Sequence, residues 1–492
     1  MVTRSGNVRA VRSALLPLVI FVAACPSADD ATPPVPAPQV SMAGYVELGF
    51  DLSALDVAPA DVTGVKAGGV RAYRLRAVGD TLFATIQGSP TPGLADVELW
   101  TAPSDGGPTG PFGASPAATL PDAVEFLPPA DPAFSTVVAL GASLGQGVQD
   151  AVPTQESIAQ SPVLMVAQQL GAYFPVPMFR DPLLTPMSPE ILGPPPECTK
   201  PSVVGYVAEG AIGVLANLQD EDGDIAYWPA RVDPLLPVHN VSVGGTTISD
   251  TVFGPEPGNF GVNFLGHLVN EPFGAVGSQL AFPQVELVAD LEPTVVLSTD
   301  LFGNDLIISI ADSEGPETDL ETLTSVEDFE VALAGFVDAM EPLGAEVFVA
   351  TIPYPSALPA ADLKDPADVA VVDARTEEFN ARLRTAGEAH DWLHVVDLFA
   401  RVESMDEDPV RVAGQPLPLT RFGGLLGIDS VHFSETGYAL VANLFIDEIN
   451  AVFGTDVPPV PLAPLWARDA ANPANLRAAG FDPSACIPPE QR

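Results

Sequence analysis

The sequence predicts an α/β chain: a three-layer α/β/α body on a parallel sheet, preceded by a small β-sandwich. Three patterns carry that expectation. Continuous apolar runs at Thr136–Leu140, Thr294–Ser298, Glu346–Thr351 and Leu393–Leu398 read as strands buried on both faces. Stretches of helical spacing separate them, and strand–helix alternation favours a parallel sheet covered on both sides. Ahead of these runs, short alternating segments are punctuated by turn residues, the pattern of antiparallel strands.

Taken in order, the chain opens on Arg4, Arg9 and Arg12, followed by the apolar stretch Ala14–Ala24. That stretch is too short to span a bilayer comfortably and reads as a signal peptide over residues 1–24. Val22-Ala-Ala-Cys25 resembles a bacterial lipobox. The resemblance implies lipidation of the Cys25 thiol and an extracytoplasmic, lipid-anchored protein; a plain secretory leader is the alternative. Pro26 after the cysteine, by resemblance to lipoprotein sorting, implies the outer membrane, on its periplasmic or outer side. Two or three acyl chains hold a protein firmly where one binds only marginally.

Residues 25–40 are Pro-rich and polar, and are expected as an extended tether. Residues 41–112 carry the alternating runs, including Tyr45–Phe50, Leu82–Ile86 and Val97–Thr101, and are expected as the β-sandwich. Their pattern resembles the IPT/TIG immunoglobulin-like modules, which implies a spacer or adhesive role; an irregular β extension of the following domain is the alternative. A linker is expected at 113–132 and the α/β domain at 133–455. Within it, helices are expected at 161–170, closed by Gly171, and near 326–340, 371–389 and 434–453. Pro-rich residues 172–235 interrupt the pattern and read as an insertion over the sheet edge or the site. Residues 456–492 form a C-terminal extension.

The formal charge is −44, spread along the chain without a long acidic tail. Such a surface repels nucleic acid and disfavours polyanionic substrates. Three cysteines occur. With Cys25 lipidated, Cys198 and Cys486 remain, and an even pair outside the cytoplasm points to one disulfide; two buried thiols are the other arrangement. Asp220–Asp224 has the look of a calcium-loop fragment but lacks the distal Glu, so an acidic turn is expected. No Cys/His cluster points to zinc, and no metal or cofactor is expected.

Acyl transfer by a hydroxyl needs a nucleophile, an imidazole base, a carboxylate to orient it, and donors for the developing oxyanion. Ser143 lies in Gly141-Ala-Ser-Leu-Gly-Gln-Gly147, directly after the first apolar strand. Glycines there let the chain turn sharply at the carboxyl end of the sheet, where open α/β sheets place their sites. Asp429-Ser-Val-His432 precedes a helix, and the three-residue spacing lets the carboxylate reach the imidazole. His239, His267, His390 and His394 lack such a partner and read as packing or surface residues. Gly244 or Gly245 in Asn240–Asp250, and Asn304 in Phe302-Gly-Asn-Asp305, offer a backbone N–H and a side-chain amide. Asp305 is read as a hydrogen-bond partner that shapes the site.

In this order the four segments resemble the blocks of the SGNH (GDSL-like) serine esterases and lipases. The matched residues are Gly141/Ser143/Leu144/Gly147, Gly245, Gly303-Asn304-Asp305 and Asp429/His432, over about 135–453. The resemblance implies a flavodoxin-like sheet, Ser143, His432 and Asp429 as the triad, and Ser143, Gly245 and Asn304 as oxyanion donors. It implies hydrolysis of a small-molecule, lipid or glycan ester. One position departs: the family's Asp between Gly and Ser is Ala142 here. That departure keeps open a different class, a non-catalytic adhesion or glycan-binding lipoprotein on a degenerate hydrolase fold. Gly141-x-Ser143-x-Gly145 also fits the nucleophile elbow of α/β-hydrolases, but no strands of that fold precede it.

Overall fold

Four short apolar strands, Val137–Ala139, Val295–Ser298, Glu346–Ala350 and Leu393–Val396, pair in sequence order and in parallel. The computed structural model describes residues 21–22, 37–101, 115–179, 185–192, 231–233, 236–256, 282–311, 318–362 and 364–486, with isolated positions at 198–207 and 262–270. The leader apart from Phe21–Val22, and Cys25, lie outside the described residues. So do Asp220–Asp224 and His267.

Register sets which side chains share a face. Val138, Val296, Val347 and Leu393 are aligned and feed one apolar cluster. Ala139, Leu297 and Phe348 are aligned and feed another. Both faces of the sheet are therefore apolar and both are covered, because side chains alternate along a strand. Helices Pro162–Leu170 and Glu435–Phe453 pack on one cluster. Helices Ile248–Phe253, Gln284–Asp290, Asn304–Ala311, Val326–Met340 and Pro366–Ala389 pack on the other. The last begins before the expected 371, because Asp365 caps it and Pro366 suits the first turn.

A further segment borders Val137–Ala139. His239 carbonyl accepts from Ala139 N–H, Val241 N–H donates back to Ala139, and Val243 N–H donates to Gly141. The four paired strands run in chain order; with this bridged segment counted at the edge as the second strand, the order is 2-1-3-4-5, and the chain reverses its direction of travel between the first and third strands. In open α/β sheets that reversal opens a crevice at the carboxyl ends of the two strands. Ser143 follows the first of them and Asp300 and Asn304 follow the other.

The N-terminal part forms two sheets. Val46–Asp51, Thr81–Ile86 and Tyr73–Val78 make one, with Phe21–Val22 parallel at its edge. Gln39–Ser41, Ala118–Leu127, Gly93–Trp100, Gly64–Ala67 and Val70–Arg71 make the other. Leu48, Phe50 and Ile86 from the first share one core with Val65, Leu99 and Phe126 from the second. The linker expected at 113–132 contains the ten-residue strand Ala118–Leu127, and the tether expected to reach 40 ends in the strand Gln39–Ser41. Pro121 hides that first strand in the sequence, and its alternation is clean only over the buried Val124 and Phe126.

This body abuts the insertion. Tyr45 Oη accepts the Val176 N–H at 2.9 Å, and Arg71 approaches Asp233 at 3.8 Å. The start of the insertion lies on the sheet edge, where Pro175 accepts the His239 N–H. Cys198 and Cys486 are joined by a disulfide, which ties the insertion to the C-terminal extension. That extension carries helices Leu462–Arg468 and Pro473–Ala478.

Candidate active site

The turn that carries Ser143 is built by glycines and two distant side chains. Gly141 has φ +129°, and a Cβ there would stand 3.0 Å from Asp300 Oδ1. A Cβ on Gly145 would meet Ser242 Oγ at 2.5 Å. The Gln284 amide holds Gly141 from both sides, accepting its N–H at 2.8 Å and donating to its carbonyl at 2.9 Å. Ser143–Gln146 then makes a single helical turn. The buried Asp300 carboxylate accepts the N–H groups of Ala142 at 3.1 Å, Leu144 at 2.7 Å and Gly145 at 3.3 Å. Burial pushes this carboxyl up, and those N–H bonds only partly offset it.

Asp429 is fully buried and its two oxygens collect four donors. Oδ2 accepts from His432 Nδ1 at 2.6 Å and from Ala151 N–H at 2.7 Å. Oδ1 accepts the N–H groups of Val431 at 3.0 Å and His432 at 2.9 Å. Burial raises the carboxyl, but the charge of His432 and these hydrogen bonds outweigh it and hold the group at about 2. An ionised Asp429 only accepts, so it bonds a proton on Nδ1 and orients the ring, leaving Nε2 as the other ring nitrogen.

The pair is fastened to the segment following Ser143. Ala151 N–H reaches Asp429, and Ile428 N–H returns to Asp150 Oδ1 at 2.7 Å. Asp150 and Ala151 take the left-handed conformations this requires, at φ +51° and +75°. Tyr438, on the helix after His432, donates its hydroxyl to the Val148 carbonyl. Asp469, from the extension, accepts Ser434 Oγ and Thr436 N–H and so caps that same helix. Among the described residues the Ser143 hydroxyl makes no hydrogen bond. Catalytic hydrogen bonds are often long in unliganded enzymes.

The donors differ in availability. Gly244 N–H is taken by Gln146 Oε1 at 2.9 Å. Among the described residues, the N–H groups of Gly245 and Ser143 have no acceptor. Gly245 sits at φ +87°, and Ser143 Cβ lies 3.7 Å from where a Gly244 Cβ would be. Asn304 Nδ2 donates to the Thr246 carbonyl at 2.8 Å, which commits one amide hydrogen and leaves the other. Asp305 accepts Ile248 N–H and Thr324 Oγ1, and burial raises it to about 7.

The other described histidines, His239, His390 and His394, have partners of their own. His239 Nδ1 lies 3.0 Å from the Val137 carbonyl, and burial lowers the ring to about 4. His394 pairs with Glu346, and His390 lies near Glu341. Among the described residues no group of His, Cys, Asp and Glu is arranged to hold a metal. No helix there is long and apolar enough to cross a membrane.

Sequence reasoning missed Asp300, Gln284, Asp150 and Asp469. A usable signal existed only for Asp300: an acid directly after a buried strand, beside the point where the sheet order reverses.

No protein-family model matches the sequence, and no curated protein matches it. Several solved structures show a distant likeness. An α/β hydrolase enzyme from the metagenome of Lake Arreo is 13% identical, covering 65% of this chain and 97% of its own, with TM-score 0.30. A lipase/acylhydrolase from Enterococcus faecalis is 18% identical, covering 55% and 94%, with TM-score 0.25. An acetyl-xylooligosaccharide esterase from Geobacillus is 14% identical, covering 66% and 97%, with TM-score 0.27. Likenesses at these TM-scores define neither a fold family nor a reaction.

Proposed function

We propose that this chain is a serine esterase of the SGNH type, on a flavodoxin-like three-layer body, hydrolysing carboxylic esters through Ser143, His432 and Asp429. The observation that carries the reading is the buried Asp429–His432 contact at 2.6 Å, fastened through Ala151 to the segment that follows Ser143. His432 takes the Ser143 proton as Oγ attacks the ester carbonyl. The N–H groups of Ser143 and Gly245 and the remaining Asn304 hydrogen hold the oxyanion. His432 then protonates the leaving alcohol, and water releases the acyl group with His432 again as base. The substrate is a small-molecule, lipid or glycan ester.

The N-terminal two-sheet body is read as an immunoglobulin-like spacer, and Cys25 as the site of lipidation. The lipobox resemblance supports an extracytoplasmic, membrane-anchored location, and the Cys198–Cys486 disulfide is compatible with it.

The decisive experiment is labelling of the folded chain with a fluorophosphonate probe, beside hydrolysis of p-nitrophenyl esters of graded chain length. Ser143→Ala is expected to abolish both. Full esterase activity in Ser143→Ala sinks the reading. A folded wild-type chain that neither labels nor hydrolyses favours the non-catalytic surface protein. Metabolic labelling with an alkyne fatty acid, lost in Cys25→Ser, tests the anchor; an unlabelled wild type overturns it.

A further inference from the structure

We infer that Asp300 is a positioning residue for the esterase reaction, holding the turn so that Ser143 N–H alone among its donors stays open. The inference rests on the proposed role of Ser143. The turn presents four successive backbone N–H groups, from Ala142 to Gly145. Asp300 accepts three of them: Oδ1 takes Ala142 at 3.1 Å and Gly145 at 3.3 Å, and Oδ2 takes Leu144 at 2.7 Å. Ser143 N–H is skipped, and among the described residues it has no other acceptor.

The carboxylate is itself fixed. Thr299 Oγ1 donates to Oδ1 at 3.2 Å. The neighbouring Phe302 is buried against Phe329 and Phe379, at ring separations of 5.1 and 6.2 Å, which anchors the loop that carries Asp300. The glycines fit the same purpose. At 141, φ is +129° and a Cβ would crowd Oδ1 at 3.0 Å, which suits glycine.

This arrangement bears on Ala142, the one position that departs from the SGNH pattern. Ala142 is buried at 1% exposure and its own N–H is one of the three that Asp300 accepts. A carboxylate arriving from the third strand therefore fastens the turn without an acid inside it. Ala142 is then no mark of a degenerate site.

The test uses the full chain and counts competent sites by fluorophosphonate titration, so that kcat is expressed per titrated site. A purely structural role lowers the number of sites and leaves kcat per site unchanged. In Asp300→Asn the amide nitrogen faces the Leu144 N–H, or the Ala142 and Gly145 N–H groups if it flips. Misplacement of about 1 Å costs on the order of a hundredfold. A fall of about ten- to a hundredfold in kcat per site is expected, with KM within about twofold. Unchanged kcat per site overturns the role of Asp300 and leaves the esterase reading standing. If Asp300→Asn yields no folded protein, Thr299→Val decides: a severalfold loss per site supports the role, and none overturns it. A wild type with no turnover and no label refutes the esterase reading itself, and this role with it.

Discussion

Asp429→Asn is the most informative single change. The amide keeps one oxygen. With that oxygen in place of Oδ1, it still accepts the Val431 and His432 N–H groups. Its NH2 then faces two donors, Ala151 N–H and His432 Nδ1–H, at distances of 2.7 and 2.6 Å in the wild type. The imidazole escapes by moving its proton to Nε2, which removes the base from the side that must take the Ser143 proton. In Ser-His-Asp triads that tautomer error costs about 10⁴ in kcat. The Ala151 N–H cannot escape, and an unsatisfied buried donor costs about 1–3 kcal/mol. Separately, the carboxyl is held below 3.8, at about 2, so its ionised form favours the folded chain. Its folded value is depressed, so this stabilisation is complete above 3.8 and disappears as pH falls through about 2. The assay is p-nitrophenyl ester hydrolysis per titrated site, with urea unfolding at pH 7. Asp429→Asn within tenfold of wild type, with an unchanged midpoint, refutes the reasoning.

Further outcomes follow from other parts of the molecule. Gly245→Ala places a Cβ at φ +87° and 3.3 Å from a Val262 methyl. Strain of about 1–2 kcal/mol is expected in unfolding titrations, with a drop in kcat larger than any change in KM. Phe379→Ala removes a fully buried ring stacked on Phe329 at 3.9 Å, and is expected to cost about 3–5 kcal/mol in the same titrations. Cys486→Ser opens a crosslink between residues 288 apart, and a loss of about 2–5 kcal/mol is expected, read as a lower urea midpoint. Burial raises Asp305 and Glu435 to about 7. The unfolded chain releases those protons first, so stability falls as pH rises from about 4 to 7. The thermal midpoint is expected to be higher at pH 5 than at pH 8, and the reverse order contradicts that assignment.

Some of this was legible in the sequence because its cause is local. Thr136–Leu140 and Thr294–Ser298 read as buried strands because a strand covered on both faces is apolar at every position. Helix Val326–Met340 lies where it was expected, near 326–340. Asp429 and His432 are three residues apart, so the chain itself brings carboxylate and imidazole within reach, whatever the rest of the fold does. Strand Ala118–Leu127 was not legible, since its pairing with Gly93–Trp100 decides it and Pro121 argues against it.

The remainder of the site exists only in three dimensions. Asp300 and Gln284 reach the turn that carries Ser143 from 158 and 143 residues away, and Ala151 reaches Asp429 across 278. Each is a bond between one side chain and a backbone group. Backbone N–H and C=O groups are the same at every residue, so such a bond leaves no mark on the sequence of its partner. The sequence by itself therefore named the groups proposed to do the chemistry. The tertiary structure alone decided what holds them, because the reversal of the sheet brings the ends of the first and third strands together.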